Sequence, residues 1–250
     1  MHYDRRPKKK NDDIVFGIRA IIEAINSGKQ IEKVLLKRGQ GDLYKELFDT
    51  IKQNQVPCQH VPIEKLNRIT MKNHQGAIAF VSPITFENME TFLPTLYEEG
   101  KNPFILILDQ ITDVRNFGAI VRTAECAGVH AILVPEKGAA SINGDAMKTS
   151  AGALHLVPIC RTRNLKDSVR FLQESGLKVV AASEKAKDSY TEVSYKDPVA
   201  IVMGSEEFGI SDDIVKQADH LVQIPILGQI QSLNVSVAAG LLAYEVVRQR

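Results

Sequence analysis

Cysteine is scarce in this chain: of 250 residues only Cys58, Cys126 and Cys160 carry thiols, far apart and without a C-x-x-C pair. That usage argues against a disulfide framework or a zinc site and suits a reducing cytoplasm. The six histidines are equally scattered. Metal ligands cluster, so a lone residue such as His155, within the strand-like run HLVPIC, reads as structural, and no metal is expected. Long apolar runs are missing too. None approaches the roughly 18 residues of a spanning helix, and the first thirteen residues, MHYDRRPKKKNDD, are polar. Neither a membrane span nor a signal peptide is therefore read, and a cytoplasmic location is expected. Three motifs are also absent. No G-x-G-x-x-G follows the first strand of an α/β unit, so no dinucleotide fingerprint is supported; G-x-x-x-x-G-K-[ST] and G-x-S-x-G are missing as well, which removes the P-loop and weakens a hydrolase reading.

What is present is an ordinary globular composition, 44% hydrophobic and 24% charged, with a formal net charge of +1. The balance conceals an asymmetry. Residues 1–82 hold 15 Lys and Arg against 9 Asp and Glu, or +6, and the remainder holds 16 against 21, or −5. Arg5, Arg6, Lys8, Lys9 and Lys10 mark residues 1–13 as a basic disordered arm able to neutralise phosphates, so nucleic acid is the favoured partner. Helical patterns in GIRAIIEAINSG and GDLYKELFDTIKQNQ, with strands in KVLLK and GAIAFVS, predict a small α/β module over residues 14–82. The composition changes at Pro83, and the boundary is placed at 83–86. From residue 87 to 250, the strand-like runs FILILD, AILVP, HLVPIC, KVVAAS, VAIVMG and LVQIP alternate with helical stretches starting near Asn116, Asn164, Ser211 and Asn234. The alternation predicts a second α/β domain with a mostly parallel sheet.

Three segments resist a purely structural reading: LDQITDVRNFGAIVRTAECAGV (108–129), VMGSEEFGIS (202–211) and IPILGQIQSLNVSVAAGLLAYEVV (224–247). Each follows a predicted strand, so all three belong at the carboxyl edge of the sheet, where open α/β folds bind ligands. The first crowds Asp109, Asp113, Arg115, Asn116 and Arg122 around a helix start, where Asn116 could serve only as an N-cap and Arg122 only as a solvated face. In the second, Gly204 and Gly209 bracket Ser205, Glu206 and Glu207. The third opens an almost wholly apolar helix with Ser232 and Asn234, two residue types suited to capping.

The patterns N-x-G-x-I-x-R-T-A at 116–124, V-M-G-S-E at 202–206, and I-P-I-L-G with S-L-N-V-S-V-A-A-G at 224–240 resemble, in order and spacing, the three motifs of the SpoU (TrmH) branch of the SPOUT RNA ribose methyltransferases. The match spans roughly residues 104–250. The N-terminal module, with N-H-Q-G at 73–76, is similar to the substrate-binding domain of bacterial members that modify a guanosine of the large ribosomal RNA. This resemblance implies S-adenosylmethionine as methyl donor, ribosomal RNA as partner, a C-terminal trefoil knot and a homodimer formed through it. Transfer RNA as substrate and a catalytically silent RNA-binding scaffold are the alternatives. Carried over by motif, Gly204, Ile224 and Leu233 should hold the cofactor through backbone groups. Asn116, Arg122, Glu206, Ser232 and Asn234 should form the catalytic group, with Ser232 and Asn234 both capping the helix and lining the site. Family members often carry Gly after the motif-two glutamate, where this chain has Glu207 and Phe208, so Glu207 is the alternative to Glu206. The arginine matching Arg122 has been cast as a general base. A guanidinium, almost always protonated, is better suited to holding a phosphate and stabilising a developing alkoxide, with proton removal by Arg122 as the alternative. Asn116 and Glu206 are expected to orient it.

Overall fold

The computed structural model describes residues 14–250; the basic arm expected over residues 1–13 lies outside the described residues. The chain divides into two compact units between Pro83 and Ile84. The first runs β1 (Ile14–Phe16), α1 (Ile18–Asn26), β2 (Ile31–Leu36), α2 (Asp42–Gln53), β3 (Cys58–His60), α3 (Ile63–Ile69) and β4 (Ala77–Val81). The strand order is β1-β4-β2-β3, with β4 antiparallel to both neighbours and β2 parallel to β3. Alternation along β2 and β4 sorts the core: Val34, Leu36, Ala77 and Ala79 meet Ile21, Ile25, Leu47 and Ile51 of α1 and α2. Leu35 and Ile78 point the other way, onto Leu66 of α3.

The second unit runs β5 (Phe86–Glu87), α4 (Met89–Glu98), β6 (Phe104–Leu108), α5 (Val114–Cys126), β7 (Ala131–Pro135), α6 (Gly144–Thr149), a 3-10 turn (Ala153–His155), β8 (Ile159–Thr162) and α7 (Leu165–Glu174). It continues through β9 (Lys178–Ala182), β10 (Asp188–Ser189), β11 (Val199–Met203), α8 (Asp212–Gln217), β12 (His220–Gln223) and α9 (Val235–Gln249). Its eight strands, in the order β10-β12-β9-β11-β6-β7-β8-β5, are all parallel. Every residue of β6 and of β11 is buried, as strands covered on both faces require. One face packs on α4 and α7 through Leu93 and Leu172. The other packs on α5 and α9 through Ile120 and Leu242. β11 lies between β6 and β9, so the chain inserts a later strand at the middle of the sheet and brings the ends of β6, β11 and β12 to one edge.

HLVPIC departs from the expected strand. His155 ends the 3-10 turn and is exposed, and β8 begins only at Ile159. Pro158 has no N–H to give a ladder, which delays pairing until the residue beyond it. Among the described residues no helix is long and apolar enough to cross a membrane, and no group of three or more His, Cys, Asp or Glu could hold a metal ion.

Candidate active site

The site is assembled by three loops at the carboxyl edge of the large sheet. Asp109, the residue after β6, is buried; its carboxylate accepts hydrogen bonds from the Ser211 N–H and hydroxyl, both at 2.7 Å. Its own N–H donates to Met203 O at 2.8 Å. Asp109 thereby fixes both ends of the 204–211 loop, a role the sequence signals only as an acid directly behind an apolar run.

Asp113 caps α5, its Oδ1 accepting from the N–H groups of Arg115 and Asn116. Asn116 is therefore not the cap, and its side chain is free to reach across. Its Nδ2 donates to Glu206 Oε1 at 3.2 Å. Asn234 Nδ2 donates to the same oxygen at 2.8 Å and to Asn116 Oδ1 at 3.0 Å, while the Val235 N–H donates to Glu206 Oε1 at 3.0 Å. One carboxylate oxygen thus collects three donors from two segments, at the amino end of α9 where the helix dipole favours negative charge. Glu207 makes no such contact among the described residues.

Of the two polar residues expected to cap α9, only Asn234 does so, accepting from the Ser236 N–H at 3.0 Å. Ser232 lies two residues ahead of that position, outside capping reach, and lines the neighbouring pocket instead. Arg122 also departs from expectation, because Asn116 and Glu206 bond each other and neither bonds the arginine. Six residues beyond Asn116 on a helix means about 240° of rotation and about 9 Å of rise. Arg122 is exposed on another face of α5. Its neighbour Thr123 faces α9, where a Cβ on Gly240 would lie 3.4 Å from Thr123 Cγ2.

Beside the Asn116–Glu206–Asn234 cluster opens a pocket of about 350 Å³, lined by Gly204, Ile224, Ser232 and Leu233 with Met203 and Ala238 on its apolar side. That volume falls within the range of small-molecule sites. The 204–209 turn is closed by reciprocal bonds between Ser205 and Gly209, at 3.1 and 2.9 Å, and by the Phe208 N–H on Ser205 Oγ at 3.0 Å. A Cβ on Gly204 would lie only 2.2 Å from Gly209 C, so glycine is obligatory there. Gly209, at φ 69°, is the single left-handed residue of the turn, and Glu207 and Phe208 need no such conformation. The pocket's apolar wall, with the carboxylates of Glu184, Glu206, Glu207 and Asp212 in the lining against the ammonium of Lys185, suits a ligand with a flat apolar part and a positive centre. An adenosine bearing a sulfonium has those features. Gly118 serves packing: a Cβ there would meet Thr149 Cβ at 2.7 Å, so the glycine of N-x-G lets α6 cross α5.

A parallel sheet with a pocket at its carboxyl edge is an α/β fold of the kind that binds ligands there, and comparison with known proteins gives it the fold of the SPOUT-type methyltransferases. An AdoMet-bound rRNA methyltransferase from Sinorhizobium meliloti superposes with a TM-score of 0.61 at 23% identity, covering 94% of this chain and 87% of that one. The chain belongs to the SpoU rRNA methylase family, which matches residues 103–244, with an RNA 2'-O ribose methyltransferase substrate-binding domain matching residues 14–87. Two relatives span nearly the whole length. One, from Photobacterium profundum, is a 23S rRNA (guanosine-2'-O-)-methyltransferase, RlmB, 36% identical over 96% of this chain and 99% of its own. The other, YacO of Bacillus subtilis, is assigned to the TrmH family of tRNA/rRNA methyltransferases and is 33% identical over 95% and 96%. The chain is an RNA methyltransferase of this family.

Proposed function

We propose that this protein methylates the 2'-hydroxyl of a guanosine ribose in 23S ribosomal RNA, taking the methyl group from S-adenosylmethionine. The observation that carries the reading is the meeting of Asn116, Glu206 and Asn234 at the edge of a pocket walled by Gly204, Ile224 and Leu233. When bound, the donor supplies an electrophilic methyl on a sulfonium. Backbone groups at Gly204, Ile224 and Leu233 would hold it, and the apolar lining at Met203 and Ala238 would suit its adenine. A ribose hydroxyl is barely acidic, so the protein must bring it in line with the methyl and manage its proton; positioning alone can contribute on the order of 7–11 kcal/mol. Glu206, anchored by Asn116, Asn234 and the start of α9, fixes one side of the reaction space, and Ser232 and Asn234 offer polar contacts toward the ribose. Arg122 holds the adjacent phosphate and stabilises the alkoxide as it develops.

Arg122 lies six residues beyond Asn116 on α5 and bonds none of this cluster, while α9, the helix packed on α5, carries an exposed apolar stripe formed by Val237, Leu241, Tyr244 and Val247. The protein acts as a homodimer through that stripe, with the site completed across the interface. The C-terminal segment forms a trefoil knot, a reading supported by the insertion of β11 between β6 and β9 and by the return of the chain from β12 to place α9 against α5.

The near full-length similarity to the RlmB relative favours a guanosine of 23S ribosomal RNA, and the tRNA/rRNA assignment of the Bacillus relative keeps transfer RNA as the second reading. Mapping ribose methylation in both RNA pools from a deletion strain tests them: a single 23S guanosine should lose its methyl group. Loss confined to transfer RNA would replace the first reading by the second, and failure of the pure protein to bind S-adenosylmethionine would mark a silent scaffold.

A further inference from the structure

One edge of the small sheet gathers positive charge around a firmly held loop. The register sets Phe16 against Ile78, and Leu36 against both Ala77 and His60. The ends of β1, β2 and β3 therefore share one edge with the start of β4. The loop entering β4 carries N-H-Q-G, and its side chains act as bolts. Buried His74 meets Asn67 Oδ1 through Nε2 at 2.9 Å and accepts the Gly76 N–H on Nδ1 at 3.0 Å. Gln75 Oε1 accepts from the Ile18 N–H at the start of α1, at 3.1 Å. The Lys37 N–H donates to Gly76 O at 2.8 Å. Gln75 itself is held at φ 51°, a left-handed conformation that persists in a non-glycine residue only where its surroundings enforce it.

Cations are mounted on this rigid loop and its anchors. Lys37 lies against Gly76, where an added Cβ would come within 3.3 Å of the lysine stem. Lys72 extends over the Phe16 ring with its Nζ 5.4 Å from the centroid. Arg19 follows the bolted Ile18. All three are exposed, and none forms an ion pair among the described residues. Arg38 adds a fourth charge, while Asp42 and Glu64, the acids that follow β2 and β3, begin α2 and α3. Beside Lys72 stands Met71, 87% exposed, an apolar side chain with nothing packed on it. Preset cations without ion-pair partners among the described residues, next to an apolar knob, match a ligand that alternates phosphates with flat bases.

We infer that this edge grips the phosphate backbone of the RNA substrate, with Lys37 and Lys72 as its main contacts and the N-H-Q-G loop as their mount. The inference rests on the chain acting on RNA. Such contacts set the position of the RNA without reading its sequence.

The test uses the full chain and a fluorescein-labelled hairpin transcribed from 23S ribosomal RNA, followed by anisotropy across a salt series. Lys37→Ala/Lys72→Ala is compared with the charge-matched Lys29→Ala/Lys52→Ala, which removes two lysines near the opposite ends of α1 and α2. The first pair should weaken binding about tenfold or more near physiological salt and lower the log–log salt slope by about one per lysine. S-adenosylmethionine affinity, measured by calorimetry, should be unchanged in both. The control pair should bind RNA nearly as the wild type does. Equal losses in the two pairs, or no loss in the first, would overturn the assignment of this edge while leaving the methyltransferase reading intact. A wild-type chain that binds S-adenosylmethionine but not the transcript would remove the 23S substrate reading and this inference together.

Discussion

Glu206 holds the candidate site together, because one of its oxygens takes hydrogen bonds from Asn116, Asn234 and the Val235 N–H. Glu206→Ala removes that acceptor and leaves the amino end of α9 unsupported. At an exposed position the loss should be modest, about 1 kcal/mol, or a melting shift of roughly 2–4 °C, whereas methyl transfer should fall at least a hundredfold. Glu206→Gln keeps an oxygen in place and should melt like the wild type; if it also turns over like the wild type, the carboxylate charge has no part in the reaction. Arg122 is the opposite case, exposed and bonded to none of the cluster. Arg122→Ala should leave S-adenosylmethionine affinity nearly intact while lowering transfer by two orders of magnitude or more, as the loss of a group needed only at the developing oxyanion predicts. Near-normal single-turnover rates would remove it from the mechanism. The polar residues of this edge were legible in the sequence because each follows an apolar run that can only be a buried strand. Their partnerships were not. Which of Asp113 and Asn116 caps α5, and which of Ser232 and Asn234 caps α9, depends on where the first helical turn begins, and periodicity leaves that open by a residue or two.

At the scale of elements, the sequence pattern reached the long strands and helices except α4, whose run Pro94 interrupts, and missed most of the short ones. β5 and β10 are two residues each, β3 is exposed at all three of its positions, and α6 is six residues. None is long enough to display a period. Pro158 displaced the one strand placed wrongly. α9 reads as apolar nearly all round, and the structure divides that surface: Ala239, Leu242, Ala243 and Val246 are buried, while Val237, Leu241, Tyr244 and Val247 stay exposed. A soluble chain seldom leaves such a stripe bare, and association is the usual reason. Leu241→Lys should convert a dimer to a monomer in light scattering at micromolar concentration, with transfer lost and the fold kept by circular dichroism. Full activity in a monomeric wild-type protein would end the dimer proposal and, with it, the placement of Arg122 at an interface.

Across the whole molecule, charge and chemistry are carried by different units. The residues of the pocket and of the Glu206 cluster all belong to the unit that starts at Ile84. Residues 83–250 carry a formal −5, a poor field for attracting a polyanion, while residues 1–82 carry +6. The two units have separate hydrophobic cores, one built on Val34 and Leu36 and the others on β6 and β11, so the larger should fold when expressed alone. A fragment of residues 84–250 is therefore expected to bind S-adenosylmethionine like the whole chain in calorimetry, yet to lose most of its affinity for ribosomal RNA. Each lost phosphate contact removes one increment of counterion release, so the salt dependence should flatten as the affinity falls. Filter binding of both proteins over a range of salt separates this division of labour from its alternative, in which basic patches on the larger unit hold the RNA and the smaller one serves only stability. Equal affinities with equal slopes would mean that the positive charge of the first 82 residues is a solvated surface with no part in capturing substrate.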